Sequence, residues 1–408
     1  MMRSMFSGVS GLRSHQTMMD VVGNNISNVN TPGFKASQVT FTETLSQILR
    51  GPAGATDERG GINPIQIGLG VKVAGVEGIF TQGASQVTGR TTDLAIQGSG
   101  FFIVNSGDTE FFTRNGSFGF DEIGNLVTSQ GLTVQGWTAD AAGAIDPAAP
   151  VDDIRLPIGQ VIDPIVTSQV DLGGNLDADA VVGATTTTSI NVFDSIGNAH
   201  EVVFTLQKTA ANTWSAAAGI DGTTYTLTPA TLTFNTDGTL AAPTTMAFSG
   251  FTPPGAAAMA FNVVLNGPSS TVQFGGSTTL EAVSQDGQAI GFLRDFAIAD
   301  DGSIFGQFSN GESKVLGRIA TASFNNPAGL QRQGDSNFIQ TTNSGEPLVG
   351  APGSGNRGLL SAGTLEMSNV DLAREFTNLI IAQRGFQANS RVITTSDEML
   401  SELVNLKR

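Results

Sequence analysis

Leu372-Ala373-Arg374-Glu375-Phe376-Thr377-Asn378-Leu379-Ile380-Ile381-Ala382-Gln383-Arg384-Gly385-Phe386 places an apolar side chain at every seventh position, and the register extends back to Leu365 and on to Ile393 and Leu400. Such a repeat draws one narrow stripe along a helix, the seam of a coiled coil. Near the N-terminus Met5, Leu12, Met19 and Ile26 recur in the same way, with Val9 supplying the intermediate spacing. Nothing between the two ends repeats the pattern. Helices are therefore predicted over about 3–29 and 370–404, the second on the order of 50 Å long at 1.5 Å per residue. Its second seam, Phe376, Gln383, Ser390, Asp397 and Val404, is partly polar. That suits a helix packed among several neighbours, or beside water, better than a closed two-stranded coil.

The first helix runs down through Asn24, Asn25 and Asn28, residues that favour caps and turns. Thr31-Pro32-Gly33-Phe34 then stops it, because Pro lacks a donor N–H and disfavours helix in the residue before it. A connector is expected over residues 31–75, with loops at Gly51-Pro52-Ala53-Gly54 and Gly60-Gly61. From Val71 the period changes to two, and short apolar runs between glycines predict strands. The stretch 146–284 is rich in Ala and Thr, with turn signals at Gly173-Gly174, Gly197-Asn198, Asp221-Gly222 and Asp237-Gly238. The Phe- and Gly-rich style of 76–145 resumes after 285. The predicted layout is nested: 1–30 with 365–408 as a terminal helical assembly domain, 31–75 as connector, 76–145 with 285–364 as a middle β domain, and 146–284 as an inserted outer β domain. The fold class is multidomain α+β, its terminal helices forming a coiled-coil-like domain and its β domains mainly antiparallel.

Composition narrows the function. The chain has 408 residues, 39 % hydrophobic and 14 % charged, so it can fill ordinary cores and does not read as disordered. Its net charge is −16, carried by the middle: residues 1–50 have Arg3, Arg13, Lys35 and Arg50 against Asp20 and Glu43. A surface without Lys/Arg clusters argues against nucleic acid as a partner. No apolar run reaches the length of a membrane span or forms the core of a cleaved signal peptide. There is no Cys, hence no disulfide or thiolate chemistry.

Catalytic patterns are missing as well. The sequence contains no P-loop, no HExxH and no GxSxG. Its two histidines, His15 and His200, fall in different predicted domains, and Gly98-Ser99-Gly100 reads as a tight turn. No catalytic residue, cofactor or metal site is expected, and the chain is not expected to be an enzyme.

Several longer motifs resemble the bacterial flagellar rod and hook protein family. They are Asn24-Asn25-Ile26-Ser27-Asn28-Val29-Asn30-Thr31-Pro32-Gly33-Phe34-Lys35, Asp93-Leu94-Ala95-Ile96, Gly98-Ser99-Gly100-Phe101-Phe102, Phe112-Thr113-Arg114-Asn115-Gly116, Gly363 through Leu372, and Gln383-Arg384-Gly385-Phe386-Gln387-Ala388-Asn389. Rod-type members are short, whereas the insertion here, with Asp194-Ser195-Ile196-Gly197-Asn198-Ala199-His200, is similar to that of the hook type. The resemblance implies an exported subunit without a cleaved signal peptide, located in the extracellular hook of the flagellum. It would polymerise with itself into a curved hollow tube that links rod to filament as a flexible joint. The partners implied are the distal rod protein, the hook cap protein, the hook-filament junction protein and the export apparatus. A distal rod protein is the alternative; a β-rich enzyme or carbohydrate-binding module in 146–284 is an alternative of another class.

The subunit-packing residues expected from the stripes are Met5, Val9, Leu12, Met19, Ile26, Leu372, Phe376, Leu379, Phe386, Ile393 and Leu400. The signature Asn24, Asn25, Asn28, Thr31, Pro32, Gly33 and Phe34 is expected to end the helix and start the connector. An amphipathic helix usually packs inside its own domain. Both stripes lie at the extreme ends of a β-rich chain, so packing between copies is favoured over packing within one. Each stripe alone has nowhere to bury its apolar face, and the ends of an isolated chain are expected to be largely disordered.

Overall fold

The computed structural model describes residues 2–52, 54, 59–107, 109–140, 143–157, 159, 161–267 and 269–405. Ala53 of the predicted glycine loop and the last three residues of the predicted terminal domain lie outside that set. The fold is mostly β, with one long helix at each end: α1, Met2–Ser27, and α2, Leu372–Asn405. The chain divides into two compact units. The first is Met1–Leu156 with Phe296–Phe305 and Lys314–Arg408; the second is Pro157–Asp295 with Gly306–Ser313.

In the first unit α1 and α2 run antiparallel and pack on each other. Gly8 faces Ile393, Gly11 faces Asn389, and His15 lies over Gly385. The two helices are thus partners within one chain, and they meet along positions beside the predicted stripes. The reason is the small residues. An added Cβ on Gly11 would stand 2.7 Å from the Asn389 side chain, and one on Gly385 would stand 2.5 Å from the His15 ring. The backbones approach along small and polar positions, leaving the large apolar side chains beside the seam.

The connector is more regular than a loop. Ser37–Glu43 pairs antiparallel with Val71–Gly78, and Ser46–Arg50 with Ile65–Gly68. Leu69 N donates to Leu45 O and Thr44 N to Gly70 O, making one long arm of the two ladders. The arm lies along α1, where the Val71 amide donates to Ser10 Oγ at 3.3 Å. Alternation in Val71, Val73 and Val76 signalled its return strand; the outgoing strand has too few apolar residues to show.

The β core of the first unit is built on Phe101–Asn105. This strand pairs with Glu110–Thr113, Thr133–Thr138 and Thr321–Ser323. Phe101, Ile103, Phe112, Trp137, Phe324 and Phe338 close over it. Rings meet edge to face, Phe112 on Phe324 at 4.8 Å and Phe102 on Phe118 at 5.1 Å, which explains the heavy use of Phe. Leu359–Ala362 pairs with Leu94–Gln97, and Thr364–Glu366 with Ser85–Val87, leading the chain into α2.

The second unit is a ten-stranded sheet closed around Trp214, Phe204, Phe248 and Phe261. Most neighbours are antiparallel, but Gln169–Asp177 runs parallel to Met259–Val264 and Thr271–Phe274. Phe112→Ala should cost about 3–5 kcal/mol by emptying a packed ring site; a denaturant titration of the variant checks this, and an unchanged midpoint would refute the core assignment.

Candidate assembly interface

The helix pair buries little. The buried residues of α1 are Gly8, Gly11, Ser14, Val22 and Asn25; those of α2 are Glu375, Ala382 and Ser396. Val22 and Ala382 are the apolar side chains among them. Outside the seam stand large exposed ones: Met2, Phe6 and Val9 on α1, and Leu372, Phe376, Ile380, Ile381, Val392, Met399, Leu403 and Val404 on α2. Leu372, Phe376 and Ile380 fall four residues apart, one continuous row along the helix surface.

The residues expected to pack are placed as follows. Met5, Leu12, Met19 and Ile26 are half-buried and Val9 is exposed. Leu379, Phe386, Ile393 and Leu400 are half-buried, while Leu372 and Phe376 are exposed. The row of α2 that α1 covers is Glu375, Ala382 and Ser396, one position before the predicted second seam of Phe376, Gln383 and Asp397. Helix α2 starts with Asp371 as its cap, its Oδ1 accepting from Ala373 N at 2.9 Å and Arg374 N at 3.3 Å.

The Asn-rich signature does more than stop α1. Asn25 is buried and clasps Ser37: its Nδ2 donates to Ser37 O at 2.8 Å and its Oδ1 accepts from Ser37 N at 2.9 Å. Asn24 is exposed, and its carbonyl accepts from Asn28 Nδ2 at 3.0 Å. Thr31 Oγ1 donates to Asn28 Oδ1 at 3.1 Å, and Pro32 is half-buried. Gly33 is buried with φ +68°, and an added Cβ would lie 2.5 Å from Asn115 N, so glycine is required twice over. Phe34 is buried beneath the Arg332 guanidinium, 5.2 Å from its ring centre.

Four residues that fix this junction carried no signal as site residues, although each lies in a motif quoted above: Lys35, Arg114, Glu366 and Asn369. Glu366 is fully buried; its Oε1 accepts from Lys35 Nζ at 2.6 Å and Gly83 N at 2.8 Å, and its Oε2 from Arg114 Nη1 at 3.2 Å. Burial pushes the Lys35 ammonium and the Arg114 guanidinium below their ordinary ranges, and the Glu366 carboxylate opposes that shift in both. Asn369 Oδ1 accepts from Ala36 N at 2.7 Å while its Nδ2 donates to Ile79 O at 2.8 Å. Charged residues inside a turn-rich motif look solvated from sequence, and only the fold brings residues 35, 114 and 366 together.

Among the described residues, no group of three His, Cys, Asp or Glu side chains converges as a metal site, and no helix is long and apolar enough to cross a membrane. His15 belongs to the first unit and His200 to the second, where its ring nitrogens lie 3.2 Å from Asp194 Oδ2 and 3.3 Å from Asp221 Oδ2. Burial raises the Asp194 carboxyl, but hydrogen bonds from Asn198, His200 and Ile196 outweigh it and hold the group below the usual range.

The first unit thus presents paired terminal helices with exposed apolar rows, carried on a β body. Family models match along the length of the chain. They are described as flagella basal body rod protein over 5–35, flagellar hook protein FlgE/F/G D1 domain over 95–178, flagellar basal body protein FlaE D2 domain over 166–288, and flagellar basal body rod FlgEFG protein C-terminal over 361–406. The flagellar hook protein FlgE of Treponema pallidum is 41 % identical over 463 aligned positions, covering 100 % of both chains. That of Borreliella burgdorferi is 40 % identical over 444, again covering 100 % of both. A crystal structure of Helicobacter pylori flagellar hook protein FlgE2 has the same fold, with TM-score 0.53 at 14 % identity over 69 % of this chain and 100 % of that one. The chain belongs to the flagellar hook protein family.

Removing the Glu366 carboxylate leaves two buried cations uncompensated, so Glu366→Gln should destabilise the first unit by about 3–5 kcal/mol. Chemical denaturation followed by circular dichroism measures it, and a loss under about 1 kcal/mol would mean the cluster behaves as a surface pair.

Proposed function

We propose that the protein is the hook subunit of a bacterial flagellum and polymerises through its terminal helices into a curved hollow tube acting as a flexible joint between rod and filament. The observation that carries this reading is the helix pair: 26 and 34 residues long, it buries Val22 and Ala382 and leaves its largest apolar side chains outside. Covering a half-exposed Leu, Ile or Phe is worth on the order of 1 kcal/mol, and neighbouring copies bring such rows together many times over in a polymer. The alternative of a distal rod protein is less favoured, since the relatives at 40–41 % identity are hook proteins.

The tube is proposed to carry the helices inside, the middle β body around them and the inserted β unit outside. Its implied neighbours are the distal rod, hook cap and hook-filament junction proteins, and the subunit leaves by the flagellar export apparatus. Helices that meet along small and polar residues tolerate small shifts with little loss of apolar burial, which suits a joint that bends as it turns.

Phe376 and Ile380 are 50 % and 52 % exposed. Phe376→Asp and Ile380→Asp should therefore leave the stability of the free chain within about 0.5 kcal/mol while abolishing polymers in electron micrographs. Leu379→Asp and Phe386→Asp should also abolish them with both β units folded. Normal polymers from all four variants would sink the assembly role of the helices.

A further inference from the structure

Three asparagines are followed directly by glycine: Asn115-Gly116, Asn266-Gly267 and Asn310-Gly311. A glycine has no Cβ to shield its own amide nitrogen from the preceding side chain, and asparagine is among the chemically labile residues. Each pair thus has the chemistry to close a succinimide ring. The fold blocks two of them. Asn115 Oδ1 accepts from Ser117 N at 3.1 Å, and Gly116 is buried against the Leu94 carbonyl, which an added Cβ would meet at 1.7 Å. Asn310 is held at both ends of its amide: Nδ2 donates to Ala289 O at 3.1 Å, and Oδ1 accepts from Glu312 N at 3.2 Å. The Gly311 nitrogen, which would have to attack, donates to Phe308 O at 3.1 Å.

Asn266 is placed differently. It is exposed, in the connection from Met259–Val264 to Thr271–Phe274, which Thr271 N closes onto Leu265 O at 2.8 Å. Among the described residues, neither its side-chain amide nor the Gly267 N–H has a hydrogen-bond partner. We propose that Asn266-Gly267 is a site where the folded protein modifies itself, whether or not it is assembled. The Gly267 nitrogen attacks Asn266 Cγ. A new N–C bond closes the ring as the Cγ–Nδ2 bond breaks, and Nδ2 leaves as ammonia with the proton from Gly267. Water then opens the ring at either carbonyl, giving aspartate or, with the main chain rerouted through the side chain, isoaspartate. Either product carries one more negative charge. That charge falls beside a carboxylate fixed in place: Asp171, held by Gln169 Nε2 and Ser284 Oγ at 2.8 Å each, lies 3.5 Å from where a Gly267 Cβ would stand. The connection joins the two strands that flank Gln169–Asp177 in parallel. Modification therefore sets like charges close together, and in isoaspartate an extra backbone methylene, at the edge of these three strands.

The full-length chain is incubated folded in mildly alkaline buffer made with heavy-oxygen water, beside a second sample in urea, and peptide mass spectrometry reads all three asparagines. In urea all three should take up the label. In the folded chain Asn266 alone should do so, as aspartate and isoaspartate, with a matching acidic species on ion exchange. A Cβ on Gly267 would meet Asp171 at ordinary contact distance, so Gly267→Ala fits the fold, and an unchanged denaturation midpoint verifies this. That variant should slow the reaction at Asn266 about tenfold, the effect of about 1.4 kcal/mol in the barrier. An Asn266 that reacts in urea but not in the folded chain, equal rates at Asn115 or Asn310 in the folded chain, or a parental rate in Gly267→Ala would each overturn the site.

Discussion

The first unit turns on one buried carboxylate. Glu366 binds Lys35, from the segment leaving α1, and Arg114, from the β core, and it sits five residues before the cap of α2. Burying three charges is costly, and geometry alone makes it tolerable: every carboxylate hydrogen bond is made at 2.6–3.2 Å, and Gly83 N adds one more. Asn25 and Asn369 reinforce the junction by pairing with strand backbone as another strand would. Chain ends more than 300 residues apart thus leave the β body at one place and in a fixed direction.

From that anchor the helices reach out as an antiparallel pair whose seam is lined by small and polar residues. Such a seam sets the spacing between the helices but supplies little hydrophobic stabilisation, because the stripe that a coiled coil would bury is left half-covered beside it. Anchoring and assembly are therefore divided between two kinds of chemistry. Buried charge and amide pairing aim the helices, and the exposed apolar rows are the surface proposed to bind neighbours. The second unit follows the opposite rule, with a closed aromatic core.

Much of this was legible in the sequence because the helical periodicity survives folding intact. The seven-residue register of Leu372, Leu379, Phe386, Ile393 and Leu400 correctly located α2, and Thr31-Pro32-Gly33 located the exit from α1. Partner choice was not legible: Gly8, Gly11 and Gly385 look like weak points in a helix, yet they let the two backbones meet within one chain. The ion cluster was hidden for a related reason. Lys35, Arg114 and Glu366 each look like a solvated turn residue until the strand pairings of Thr364–Glu366 and Leu359–Ala362 bring them to one point. The tip of the connector arm escaped notice because Leu45, Ile48 and Ile65 are exposed there and its strands show no alternation of burial.

The central claim is that the helix pair is incomplete until copies meet. Amide hydrogen exchange across α1 and α2, compared between the free full-length chain and its polymer, tests it directly. Rapid exchange over both helices in the free chain, with strong protection on assembly and unchanged protection in Phe101–Asn105 and Thr133–Thr138, is the predicted result. Full protection of α1 and α2 in the free chain, equal to that in the polymer, would contradict it.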